Sequence, residues 1–210
     1  MNKIYTEHEL LKRVLNPPKE AIDLPEVIGL SGGLNREIYI PDVLEGCGSE
    51  VDAAIRYWNR VDEDAGTPVE DRQPILIYID CNGGQISDAF SIYDSIRLSK
   101  TPVHTITSGV ALSGGFIIAI AGHKRIAYPH SSFLFHEGSG SFEGDANKFA
   151  NFSQFYKRQL LQMRDIILER TKISLEKYNE IKTEDYWMTS EEAKDLGVID
   201  EIVGETNEDN

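Results

Sequence analysis

Residues 75–96 read ILIYIDCNGGQISDAFSIYDSI, and the change of rhythm inside that stretch decides the fold. Ile75 to Asp80 is a nearly continuous apolar run, of the kind buried on both faces in a parallel sheet. It gives out at Asn82-Gly83-Gly84, after which Ile86, Ala89, Phe90, Tyr93 and Ile96 recur at the spacing of one helix face. Lys100-Thr101-Pro102 ends the helix, and VHTIT from Val103 reads as a second strand. Strand, glycine turn, helix and parallel strand make a βαβ unit with a right-handed crossover, so the chain is expected to be α/β.

Upstream, Arg36 to Ile40 alternates like a short strand, and Val51, Ala54, Ile55, Trp58 and Val61 mark a helix over Ser49 to Val61. Residues 1–35, with Pro17-Pro18, Pro25 and Ser31-Gly32-Gly33, read as an arm carrying a short amphipathic helix. Downstream, GVALSGGFIIAIAG (109–122) is expected to turn at its first glycines and to place Ser113 at the start of a buried helix. RIAY (125–128) and SFLF (132–135) read as short strands separated by Pro129.

From Asp145 to about Thr171 apolar residues recur at helical intervals without a Gly or Pro. Such a helix extends roughly 40 Å, more than one small domain covers, so part of its stripe is expected against another subunit. Thr189-Ser190-Glu191-Glu192 is a capping box for a short helix closed by Gly197, after which VIDEIV returns as a strand. The organisation expected is an arm (1–35), one domain (36–203) and a flexible acidic tail (204–210).

The formal net charge of -14 opposes binding to nucleic acid or to an anionic membrane, both of which attract basic patches. The longest apolar run, Phe116 to Ala121, is far short of a bilayer span. MNKIYTEHELLKRVL lacks the apolar block of a secretory signal, so a soluble, cytoplasmic protein is expected. Cys47 and Cys81 are too few for a disulfide framework and have no metal-ligand spacing; no metal and no cofactor are expected.

Two glycine sites fall where a strand gives way to a helix, leaving backbone N–H groups at the positive end of the helix dipole. The Gly83-Gly84 pair and Gly114 thus offer two amides suited to an oxyanion hole. Neither G-x-x-x-x-G-K-[ST] nor G-x-G-x-x-G is present, which disfavours a phosphate cradle. Ser113, beside Gly114, becomes a nucleophile only if a base takes its proton. His8, His104, His123 and His130 read as solvated or structural, whereas His136 follows the SFLF strand, a position typical of catalytic side chains on α/β sheets. The base wants a carboxylate. Asp185 precedes a large apolar cluster that would hold it partly buried, but spacing does not select it among 35 acidic residues.

Taken in succession, YIDCNGGQISDAFSIYDSIR, TITSGVALSGGFIIAIAG, a histidine after a short strand and DYWMTSEEAKDLGVIDEIV resemble the ClpP family, the proteolytic subunits of the Clp serine protease. The resemblance spans roughly residues 36–203. It implies a ClpP/crotonase-like fold of repeated β-β-α units with a protruding long helix, and a serine endopeptidase acting on unfolded polypeptides or peptides. The implied nucleophile is Ser113, the base His136 and the orienting carboxylate Asp185, with the amides of Gly84 and Gly114 as oxyanion hole. It further implies a homo-oligomer of heptameric rings stacked in pairs, interlocked by the long helix around an enclosed chamber, and an AAA+ unfoldase as partner.

This sequence has Asn82 where the family usually has Pro, Gly114 where it usually has Met, and Glu137-Gly138 where Gln-Pro is common. The segment from Ser113 to His136 is about two residues shorter than usual, in the manner of a divergent branch such as phage-encoded or accessory members. Gly114 is expected to weaken the packing around Ser113. Three other readings stand beside the protease: a crotonase-like acyl-CoA enzyme, a non-catalytic ring subunit, and a serine–lysine pair using Lys124 or Lys148.

Overall fold

The computed structural model describes residues 36–205 except Pro41 and Phe142. The expected arm and most of the acidic tail lie outside the described residues. Within them, β3 (Ile75–Cys81) and β5 (Val103–Leu112) form the centre of a seven-stranded sheet. β1 (Glu37–Ile40) lies outside β3, while β6 (Lys124–Ala127) and β9 (Glu201–Ile202) lie beyond β5, all of them parallel. β2 (Val43–Leu44) and β4 (Gly83–Gly84) form a separate small parallel ladder. The chain is α/β with the βαβ unit that its sequence announced.

α1 (Gly48–Asp64) and α2 (Ile86–Leu98) pack against each other, and α2 also packs on the short α3 (Gly114–Ala119). Ile75, Ile77, Ile79 and Cys81 are wholly buried beneath this side of the sheet, whereas Leu76 and Tyr78 are half-buried and Asp80 is exposed. The expected burial of β3 on both faces therefore gives way to alternation. On the open face Tyr78 stacks on Tyr39 with ring centroids 5.1 Å apart, so the apolar run is continued by aromatic side chains rather than by a second helical layer.

β5 is ten residues long, twice the length read from VHTIT. Gly109 does not turn the chain: it lies inside this strand, where β3 and β5 shift register between Ile79 and Cys81. A Cβ on Gly109 would stand 2.2 Å from the Asp80 carboxylate, which accepts from the Val110 N–H at 3.0 Å. The glycine thus admits a side chain into a bulge, a device that re-aims a strand. Beyond the bulge β5 pairs with β7 (Ser132–Phe135) instead of β6, because the Tyr128–Ser131 turn is fastened to Thr107 by the Tyr128 N–H at 2.9 Å and the Ser131 hydroxyl at 2.8 Å.

α4 (Ala146–Arg170) is 25 residues long, about 37 Å at the usual rise. Asp145 caps it, accepting from the Asn147 and Lys148 amides, which hold the carboxyl below the ordinary aspartate range. Met163 and Ile167 are buried, but Phe149, Phe155 and Leu161 are about half exposed. α5 (Leu175–Ile181) and β8 (Tyr186–Thr189) follow, neither of which the sequence reading contained. The capping box at Thr189 and Glu192 forms as expected and opens α6 (Ser190–Asp195). VIDEIV contributes only the two-residue β9.

Candidate active site

Ser113 is the joint between β5 and α3. Its backbone lies at φ 53°, ψ −113°, a region sparsely populated by residues with a Cβ. Hydrogen bonds on either side hold it there: its N–H donates to Leu134 O at 3.0 Å and its carbonyl accepts from the Phe116 N–H at 3.1 Å. The turn expected at Gly109 is made by the serine itself, and this projects its side chain away from both elements.

His136 is the first residue beyond β7, and β8 runs antiparallel to β7 with Phe135 opposite Tyr186. One further step along that register brings His136 opposite Asp185. The resulting hydrogen-bonded line runs from Ser113 Oγ to His136 Nε2 at 2.8 Å, and from His136 Nδ1 to Asp185 Oδ1 at 3.1 Å. Spacing had not selected Asp185; pairing of two short strands does. Its surroundings differ from the expectation, since the Asp185 side chain is 65% exposed. Alternation along β8 explains this, as Met188 points into the core and Trp187 outward.

The two glycines are held close together through Leu44. Gly84 has φ +141°, and a Cβ there would stand 2.4 Å from Leu44 O. Its nitrogen lies 3.7 Å from the place a Cβ on Gly114 would take, so the two glycines are neighbours beside Ser113. The space that Gly114 leaves is filled. Leu44 Cδ1 sits 2.8 Å from that Cβ position, and Gly114 is buried, so the leucine occupies the room a larger residue would need. Asn82, in place of Pro, hydrogen-bonds through its side chain to the Asp42 carboxylate and ties the β4 edge to the start of β2.

Behind the line stands a run of aromatic rings. Phe116, from α3, is 5.9 Å from Phe135, and Phe135 is 5.4 Å from Tyr178 of α5. All three are at most 2% exposed, so the elements carrying Ser113 and His136 share one rigid backing. The signal for Phe116 and Phe135 was their apolar neighbours. Tyr178 and Leu44 had no signal, because their roles depend on contacts far apart in the chain.

The remaining candidates lie elsewhere. His123 Nδ1 accepts from the Val103 N–H at 3.1 Å, and burial lowers the ring's pKa, as it does for His104. These imidazoles serve the sheet. Lys124 pairs with Glu201 at 2.8 Å and Lys148 with Asp145 at 3.3 Å, so neither is the group hydrogen-bonded to Ser113. Burial pushes the Cys81 thiol up to about 11, which keeps it protonated near neutral pH. Among the described residues no group of three or more His, Cys, Asp or Glu side chains is arranged to hold a metal ion, and no helix is long and apolar enough to cross a membrane.

A groove of about 770 Å³ opens beside Ser113 and His136. Leu44, Ile86, Ala89, Ile117 and Met163 supply apolar wall, and Gly138 to Ser141 form a rim. The groove is large enough to receive a side chain of a bound polymer next to the hydroxyl.

A model of the family described as Clp protease matches residues 68–206. The ATP-dependent Clp protease proteolytic subunit of Deinococcus radiodurans is 34% identical over 142 residues, covering 65% of this chain and 68% of its own length. Proteolytic subunit 3 of the same protease from Parasynechococcus marenigrum is 30% identical over 183 residues, covering 84% of this chain and 86% of its own. The proteolytic subunit of Pleurastrum terricola is 32% identical over 138 residues, with 65% and 70% covered.

Proposed function

The chain belongs to the Clp protease family and is a serine peptidase, and from that premise we propose that Ser113, His136 and Asp185 are its catalytic triad, with the amides of Gly84 and Gly114 as oxyanion hole. The observation that carries the proposal is the continuous line of hydrogen bonds at 2.8 and 3.1 Å through the two nitrogens of one imidazole.

With Nδ1–H donated to Asp185, Nε2 is left as the acceptor for the serine proton. Ser113 Oγ attacks the peptide carbonyl while His136 Nε2 takes that proton. Negative charge gathers on the carbonyl oxygen beside the Gly84 and Gly114 amides, whose positions are set before the reaction by Leu44. As the tetrahedral species collapses, the C–N bond breaks and His136 returns the proton to the leaving amine. Water then attacks the acyl-serine with the same imidazole as base, releasing the acid and restoring Ser113. Asp185 orients the ring and stabilises its cationic form. An enolate-stabilising acyl-CoA site gives this serine–histidine line no task.

The substrate is an unfolded polypeptide or peptide lying in the groove, and the working form is a homo-oligomer of heptameric rings stacked in pairs, in the cytoplasm, with active sites facing an enclosed chamber. The exposed Phe149, Phe155 and Leu161 on α4 support contact with a second copy. An AAA+ unfoldase supplies the ATP-driven step named in the relatives' descriptions, this sequence having no P-loop motif. Fluorophosphonate labelling of the intact assembly, with its native mass measured on the same sample, tests nucleophile and oligomer together. Label on Ser113 is expected; an assembly that takes no label and hydrolyses no peptide overturns the catalytic reading.

A further inference from the structure

One buried side chain holds both chain neighbours of His136. The Tyr178 ring packs on Phe135 at 5.4 Å, and its hydroxyl donates to Glu137 Oε1 at 3.1 Å. Glu137 is also fastened through its backbone. Its N–H donates to Lys182 O at 3.2 Å, and its carbonyl accepts from the Tyr156 hydroxyl at 3.2 Å. Lys182 caps α5 and stands three residues before Asp185, while Tyr156 belongs to α4. Residue 137 is therefore tied to the segment that delivers Asp185 and to the long helix at once.

The position in the chain explains why such a clamp matters. β7 ends at Phe135, and Gly138, Ser139 and Gly140 are exposed, with no large side chain to anchor them. His136 would otherwise sit at the frayed end of a four-residue strand. Both phenols are fit to donate: burial and the neighbouring Glu137 carboxylate raise the pKa of Tyr178 and of Tyr156, so each keeps its proton.

We propose that Glu137 is a positioning residue for the hydrolysis, locking the backbone on the C-terminal side of His136 so that one imidazole edge meets Ser113 and the other Asp185. This rests on the triad assignment above. The carboxylate works as an acceptor for Tyr178, so a glutamine, whose amide oxygen accepts in the same place, replaces it, and an alanine does not. Because displacement of a catalytic group by about 1 Å costs up to about a hundredfold, the clamp acts on kcat. Glu137 is itself part of the groove lining whereas Tyr178 is not, so Y178F is the variant in which KM is expected to change less than about twofold.

The test uses the full chain in its assembled form, comparing wild type with E137A, E137Q, Y178F, the double variant E137A/Y178F and H136A. Turnover of a fluorogenic unstructured peptide, fluorophosphonate labelling rate and thermal midpoint are measured on each. In E137A, kcat and labelling rate are expected to fall about tenfold or more, and E137Q is expected to recover most of that loss. Y178F, which removes the hydroxyl and leaves the ring on Phe135, is expected to match E137A, and the double variant to be no worse than either single one. Should E137A fail to fold, Y178F and E137Q decide: a slow Y178F beside a fast E137Q supports the clamp. Wild-type turnover in Y178F, or an E137Q as slow as Y178F, overturns it while an inactive H136A leaves the triad standing. Turnover that survives in H136A overturns the triad reading itself.

Discussion

Two apolar stretches of this chain end in opposite surroundings. Phe116 to Ala121, following Ser113, is at most 1% exposed, enclosed by α2, β5 and β7. On α4, Phe149 is 56% exposed, Phe155 48% and Leu161 49%. The first stretch finds all of its partners within its own chain and, through Phe116 and Phe135, becomes the support for Ser113 and His136. The second projects beyond the body that would cover it. One region completes a site by folding; the other leaves apolar area for a second molecule.

The comparison breaks most sharply at Ser113. S113A is expected to lower peptide turnover by about 10⁴-fold or more while leaving the native mass and thermal midpoint unchanged, because the hydroxyl supports chemistry and not packing. Replacing Phe149, Phe155 and Leu161 together by serine or glutamine is expected to do the converse. Each side chain that an interface buries contributes roughly 1.5–3 kcal/mol, so the variant should run as smaller species in native mass measurement while its far-UV circular dichroism keeps the subunit fold. Full assembly in that variant would mean that the exposed stripe is not the contact.

Smaller effects sharpen the picture on the buried side. G84A places a Cβ 2.4 Å from Leu44 O at a backbone angle that favours glycine, and should cost about 10²–10³ in kcat through the displaced amide. G114A meets only the movable tip of Leu44 at 2.8 Å, so a loss of about tenfold is expected, read in the same assay.

The smallest effect is on acid stability. Arg36 grips Asp62 with two hydrogen bonds at 2.8 and 2.6 Å, and the buried Asp62 carboxyl is held below its ordinary range by Arg36 first, with Thr101 helping. Since the folded-state pKa is depressed, the stabilisation is present above the unfolded value near 3.9 and is lost as pH falls through the folded one. A thermal midpoint falling on the order of a few degrees over that acid range, and falling less in R36A, is expected.

Much of this fold could be read in one dimension. β3, α2, the start of β5, the long helix and the Thr189 capping box rest on periodicity and end signals over nearby residues, and the described structure has all of them. The readings that needed correction share a cause. Gly109 looked like a turn because glycine usually marks one, yet it serves a carboxylate arriving from β3. Gly114 looked loose because its missing side chain was visible and the compensating Leu44, seventy residues earlier, was not. β8 was missed because a four-residue segment becomes a strand only when an edge such as that of β7 is present to pair with it.

The sequence by itself determined the α/β alternation, the place of a serine at a strand–helix joint and the excess of apolar residues on one long helix. Each depends on the spacing of side chains along a chain whose local geometry has period two or 3.6. Only the tertiary structure decided which of the acidic residues meets His136, which histidine meets Ser113, and what stands behind them. Those choices are made by strand register and by packing between segments far apart in the chain, and a one-residue slip between β7 and β8 would send Asp185 away from the imidazole without changing a single residue.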